Sequence, residues 1–246
     1  MSLSHVKKTY ERLGKDDPLY AVLSDKRYQH NRWDEEEFFQ TGEQEIAELL
    51  AHVQHLGVTL EMDNALDFGC GVGRLSQALA ERFVHVTGVD ISESMVQRAR
   101  RFNRHGDRVT YVANAAGDLQ LFDDDQFDFI YSCITLQHIP PEHGSNYIRE
   151  FIRILRPGGL AVFQVPNGKP YRADSFAAWS YTFRRRYLRR FLKRLRGRPP
   201  VEIHYIAKAN VERLIQECGG RVVEALPVGR ERHPEKNYRY CATKAA

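Results

Sequence analysis

Three glycines at alternate positions, Gly69, Gly71 and Gly73, stand directly after a short apolar run at 65–68 and directly before a helical pattern at 75–83. No other feature limits the fold of this 246-residue chain as tightly. A strand that ends in a glycine turn and passes into a helix opens a βα unit, because glycine accepts the turn's backbone angles and lets the chain approach a ligand closely. The helix start offers unpaired N–H groups and a positive dipole end to a carboxylate or phosphate. A dinucleotide fingerprint, G-x-G-x-x-G, needs its third glycine at position 74, where this chain has Arg74. Asp90 ends the next apolar run, at 85–90, and lies 23 residues beyond Asp67. A carboxylate there can accept hydrogen bonds from both hydroxyls of a ribose. Loop and acid together point to a nucleoside without a pyrophosphate.

The pattern continues after this unit. Apolar runs at 109–113, 127–132 and 160–165 read as strands. Ser92 caps a helix reaching 101, and Pro157-Gly158-Gly159 stops a helix at 145–155. A helix at 209–218, closed by Gly219-Gly220, precedes two final strands at 221–226 and 238–243. This alternation predicts an α/β fold with a mostly parallel sheet. Residues 1–60 stand outside it as a helical cover, with a helix at 42–56 preceded by Tyr20, Tyr28, Trp33, Phe38 and Phe39. Residues 61–246 form the main domain, interrupted by an insertion at 170–204. Cover and insertion are both expected over the open end of the sheet.

Four segments in order carry a resemblance: LDFGCGVGR at 66–74, GVDIS at 88–92, FDFIYS at 127–132 and LRPGG at 155–159. Over residues 60–243 the chain resembles the class I S-adenosylmethionine-dependent methyltransferases. The resemblance implies a three-layer, Rossmann-like, seven-stranded sheet with an antiparallel last strand. It also implies S-adenosyl-L-methionine (SAM) as cofactor, bound over the strand C-termini, and S-adenosyl-L-homocysteine (SAH) as product. By position, Gly69, Gly71 and Gly73 would touch the methionine part, with Asp67 beneath the loop and Cys70 within it. Asp90 would hold the ribose, and Ile91 and Met95 would lie against adenine. Ala115 stands where similar proteins often carry an acid for the adenine amine, which leaves Asn114, Asp118 or backbone groups to serve there. Ser132, at the end of the fourth strand, completes the cofactor-binding set.

Methyl transfer from a sulfonium is an in-line displacement, so positioning carries much of the catalysis, and a hydroxyl acceptor also benefits from a base. The loop at 132–140 offers Gln137 and His138. An imidazole can take a proton at neutral pH, and similar methyltransferases use one here, so His138 is the expected general base. Trp33, Tyr20 and Phe38 are candidates to close over the cofactor, and His204 and Tyr205 to line the acceptor pocket. Cys133 reads as core.

The chain has 36 Lys and Arg against 32 Asp and Glu, a net charge of +4. Nine basic residues and no acid fall between Arg184 and Arg198, so without that stretch the chain is net acidic. Phe183, Tyr187, Leu188, Phe191 and Leu195 recur there at helical spacing, which predicts a basic amphipathic helix at 184–196. Such a helix can meet an anionic membrane surface, a phosphorylated or lipid-linked acceptor, or a second subunit. The leading reading is a methyltransferase acting on a small molecule, with a hydroxyl as acceptor. A nucleic-acid or protein methyltransferase docking through 184–198, or a non-catalytic SAM-binding protein, stands as the alternative. Against nucleic acid, the fourth strand is followed by SCIT and not by the Asp/Asn-Pro-Pro-aromatic motif of amino-directed DNA enzymes. Four scattered cysteines suggest neither a disulfide framework nor a zinc cluster, no other residue grouping asks for a metal, and the first residues lack the apolar core of a secretion signal. The expected location is cytoplasmic, with the basic helix as the route to a membrane surface.

Overall fold

A computed structural model of the protein describes residues 2–167, 202–228 and 236–245. In chain order the elements are α1 (Leu3–Asp16), α2 (Pro18–Val22), α3 (Glu35–His55), β1 (Asn64–Phe68), α4 (Arg74–Ala80), β2 (His85–Asp90), α5 (Glu93–Phe102), β3 (Val109–Ala113), β4 (Phe127–Ser132), α6 (Pro141–Ile154), β5 (Leu155–Asn167), α7 (Lys208–Glu217), β6 (Gly220–Val228) and β7 (Lys236–Lys244). Seven strands form one sheet in the order β3-β2-β1-β4-β5-β7-β6. The ladder from β3 to β5 is parallel, and β7 runs antiparallel between β5 and β6. The predicted seven-stranded sheet is therefore present. The basic helix at 184–196 lies outside the described residues.

The strand period of two divides the core. From β1, Ala65 faces α3 and α4, where it joins Ile46, Leu49 and Leu79, while Leu66 faces the opposite layer with Ile148, Phe151 and Ile215. In β5, Leu160 and Val162 join the first layer, and Ala161 and Phe163 the second. Both faces are covered, as the continuous apolar character of the strands requires. Among the described residues no helix is long and apolar enough to cross a membrane.

The largest departures from the sequence reading lie before β1. Helix α3 starts at Glu35, seven residues ahead of expectation, because the Asp34 side chain accepts from the Glu37 amide at 2.9 Å and three glutamates fill the first turn. Phe38 and Phe39 are thus buried helix residues. Helices α1 and α2 come from a stretch with no helix expected. A thin apolar stripe in α1 that includes Val6 and Leu13 draws it onto the domain, where Leu13 joins Val22, Phe39 and Met95 in a third cluster. Gly42 permits the close crossing of α3 over α4, since a Cβ there would stand 2.5 Å from the Arg74 carbonyl oxygen. Further on, α6 begins at Pro141, before the expected 145, and runs directly into a strand at Leu155. The Pro157-Gly158-Gly159 segment is absorbed as an irregularity between the Phe127↔Leu155 and Phe129↔Leu160 pairings.

Candidate active site

The strand order reverses at β1 and β4, where a crevice opens beyond the strand C-termini. A cleft of about 820 Å³, part of it open to solvent, occupies that place. One end is built by the loop after β1. Gly69, Gly71 and Gly73 all take left-handed backbone angles, with φ of 81°, 54° and 87°. The Gly69 and Cys70 amides donate to the Val89 carbonyl at 2.7 and 3.0 Å, which fastens the loop to the end of β2. A Cβ at Gly69 would sit 2.2 Å from Thr135 Oγ1, and one at Gly71 would meet Val22 at 2.6 Å, so both close approaches depend on the missing side chain.

Asp90 faces this loop from the next strand. One carboxylate oxygen accepts from the Gly71 amide at 2.9 Å and the other from the Ser92 amide at 2.8 Å. Each oxygen keeps a lone pair for a ligand hydroxyl. Burial pushes the Asp90 carboxyl up to about 6 against the lowering effect of the N–H groups of Ser92, Gly71 and Ile91. Ile91, Met95 and Asn114 line the cleft beside it. The Asn114 amide group is engaged in its own loop, donating to the Asp118 carbonyl at 2.7 Å and accepting from the Ala116 amide at 2.9 Å.

His138 lines the same cleft, on a single helical turn at Leu136–His138. Its Nδ1 lies 3.1 Å from the Glu202 carbonyl oxygen and its Nε2 lies 3.0 Å from the Gln137 side-chain nitrogen. Burial is the main cause of a pKa below the usual histidine value, with His204 adding to it, so the ring is neutral near pH 7. Ile134, just ahead, has φ of 58° and lines the cleft mouth with 44% of its surface exposed. A β-branched residue in the left-handed region is a strained conformer.

Of the residues singled out in the sequence, Gly69, Gly71, Asp90, Ile91, Met95, Asn114 and His138 come together around this cleft. Others stand behind it. Asp67 is buried beneath the loop, accepts from the Ser76 hydroxyl at 2.6 Å, and is pushed up to about 7 by burial. Cys70 and Ser132 are buried, a Cβ on Gly73 would meet the Tyr111 ring, and Ala115 is exposed. Gln137 touches the site through His138. Trp33 is not among the lining residues. It stacks on Tyr28 with ring centroids 3.7 Å apart and donates to the Leu23 carbonyl at 3.2 Å. Tyr20 also lies off the cleft. The His204 amide donates to the Gln137 carbonyl at 2.7 Å, and Tyr205 lines a separate shallow groove beside Arg149 and Arg213.

Helix α1 supplies residues that the sequence reading passed over. Leu3, Val6 and Tyr10 line the cleft, and the Tyr10 ring lies 5.7 Å from the His138 ring. Their spacing of three and four residues was the available signal. Glu11 fixes α1 in place, accepting from Ser92 Oγ at 3.0 Å and from the Ser94 amide at 3.3 Å at the start of α5. Cys133 also lines the cleft. Burial, then the nearby Glu45 carboxylate, raise its thiol pKa, so it faces the cleft as a neutral group.

A glycine loop at the end of β1, an acid at the end of β2 and a seven-stranded sheet with β7 reversed define a Rossmann-like α/β domain. Residues 65–159 match the family model described as a methyltransferase domain. Over this segment the chain is similar to methyltransferase domains. The chain is similar to the ubiquinone biosynthesis O-methyltransferase of Bordetella avium, 31% identical over 122 residues, 49% of this chain and 50% of that one. It is also similar to the enzyme of that name from Stutzerimonas stutzeri, 31% identical over 149 residues, 60% of this chain and 62% of that one. The chain thus spans between half and two thirds of the length of these relatives. Its fold is shared with magnesium protoporphyrin IX methyltransferase from Synechocystis, solved with bound SAH, at a TM-score of 0.61 and 19% identity over 98% of this chain and 99% of that one.

Proposed function

We propose that the protein is a SAM-dependent methyltransferase that methylates a hydroxyl of a small molecule, with His138 as general base. The observation that carries this reading is that the Asp90 carboxylate and the His138 imidazole line one cleft. The residues present fit SAM: Gly69 and Gly71 leave room that a Cβ would fill, Asp90 keeps free lone pairs on both oxygens, and Ile91 and Met95 offer an apolar wall. When bound, SAM supplies an activated methyl group. Asp90 binds the ribose hydroxyls, and the loop at 69–73 holds the methionine end against backbone. Neutral His138 accepts the acceptor's hydroxyl proton at a ring nitrogen. Leu3, Val6 and Tyr10 on α1 roof the cleft, so residues 1–60 serve as its cover and exclude water.

The similarity to O-methyltransferases supports oxygen as acceptor atom, and the apolar roof supports an acceptor with an apolar body. The test is incubation of the purified protein with methyl-labelled SAM and a source extract, followed by partition of the label. Label in organic-soluble or small aqueous products is the expected result. Label in protein or nucleic acid, or no affinity for SAM or SAH by calorimetry, overturns the reading.

A further inference from the structure

The residues that return from the insertion dock on the turn carrying His138 through two hydrogen bonds. The His204 amide donates to the Gln137 carbonyl at 2.7 Å, and His138 Nδ1 lies 3.1 Å from the Glu202 carbonyl oxygen. A third bond, from the Ile206 amide to the Pro166 carbonyl at 3.1 Å, ties the same segment to the end of β5. A carbonyl oxygen can only accept, so Nδ1 must carry the proton of this contact. In a neutral imidazole the other nitrogen, Nε2, then holds the lone pair, and the Gln137 amide 3.0 Å away is its donor.

We infer that the 202–204 segment is a positioning element, which locks His138 in the Nδ1–H tautomer through the Glu202 carbonyl and so makes Nε2 the base. This inference rests on the reading of His138 as the base. Free imidazole favours the opposite, Nε2–H tautomer, in which the basic nitrogen would be turned onto the Glu202 carbonyl and find no donor there. A wrong tautomer leaves a correctly placed histidine inactive, which makes such a backbone contact part of the chemistry. Gln137 has a second consequence. Its amide occupies the lone pair in the structure, and an incoming hydroxyl replaces it as donor, so the base is held in register until an acceptor arrives.

Two-bond proton–nitrogen spectra of the full chain labelled with 15N-histidine read the tautomer without any acceptor. The His138 signals, identified by their loss in His138→Gln, are expected to show the Nδ1–H pattern at pH 7. An Nε2–H pattern or a fully protonated ring overturns the inference. His204→Pro removes the amide that docks the segment, while His204→Ala keeps it. The proline variant is expected to shift His138 toward Nε2–H and to lower turnover more than about tenfold with SAH affinity unchanged, while the alanine variant keeps the Nδ1–H pattern. An unchanged His138 spectrum in a folded His204→Pro protein overturns the role of the segment, and if that variant does not fold the wild-type spectrum decides alone. The two readings fail separately. Full turnover in His138→Ala with an Nδ1–H wild-type spectrum removes the base and leaves the tautomer lock, whereas an Nε2–H spectrum with inactive His138→Ala does the reverse.

Discussion

The two ends of the cleft are built by different means. The end at Asp90 is mostly backbone. The loop at 69–73 and the strand end at 89–92 supply amides and carbonyls, and the one essential side chain is clamped between the Gly71 and Ser92 amides. The end at His138 is assembled from groups far apart in sequence, with the Tyr10 ring from α1, His138 after β4 and the Glu202 backbone carbonyl from beyond β5. Backbone sites recur because any sequence that makes the turn makes the site. The match to the methyltransferase domain family runs over 65–159, which holds the loop, Asp90 and the turn with His138 and leaves out α1 and the return segment.

The largest break in this comparison is expected from His138→Ala. Loss of a general base costs about 10²–10⁴ in turnover, while calorimetric SAH affinity should stay at wild type. If affinity falls as well, the two ends are one unit and the division is wrong. Asp90→Asn should do the opposite. Replacing a charged acceptor of two ribose hydrogen bonds by an amide is expected to weaken SAH about 10- to 100-fold, at roughly 1.5–3 kcal/mol per charge-assisted bond with partial compensation. In wild type the same affinity should decline as pH falls below about 6, where the buried Asp90 carboxyl takes up its proton. A flat titration down to pH 5 would mean that the ribose is read elsewhere.

How much of each end was legible in the sequence follows from how it is made. Gly69, Gly71 and Asp90 were readable because turn geometry demands particular residues at particular spacings, and the sheet was readable because its strands are apolar on both faces. Helix α1 escaped notice because Lys7, Lys8, Glu11, Arg12 and Lys15 crowd a narrow apolar stripe, which gains meaning only once a partner surface exists. Trp33 failed in the other direction: an aromatic beside a predicted cleft looked like a lid, yet its ring is spent on Tyr28 and Phe38. Tyr10, three turns from the start of the chain, does face His138. Aromatic character alone does not tell these two apart; the helix phase does.

A smaller effect tests whether the His138 end stores strain. Ile134→Gly releases a left-handed β-branched residue, worth about 1–3 kcal/mol, and gives back about 0.5–1 kcal/mol in unfolded-chain entropy. The melting temperature should rise by roughly 1–4 °C, and turnover should fall as the turn before His138 loosens. A lower melting temperature would show that the Ile134 side chain, not its backbone, matters at the cleft mouth.

The smallest effect concerns the contact that joins the two ends. Glu11 lies on α1 next to Tyr10 and accepts from Ser92 and Ser94, within two and four residues of Asp90, so the roof over His138 is fastened to the strand end that holds Asp90. Burial acts to raise the Glu11 pKa, but the Ser94 amide, the Ser92 hydroxyl and Lys15 outweigh it and leave the carboxyl below its ordinary 4.5. A group with a depressed folded pKa contributes stability above its unfolded value and loses it as pH falls through the folded one. The fastening is therefore complete at neutral pH and released only in acid below about 4.5, under the value of about 6 to which the Asp90 carboxyl is raised. Glu11→Gln should cost about 0.5–1.5 kcal/mol, abolish that acid-limb loss, and speed amide hydrogen exchange across Leu3–Asp16 while leaving β1 to β5 protected. Uniform faster exchange would mean that α1 unfolds only with the sheet, and that the two ends, though built differently, open together.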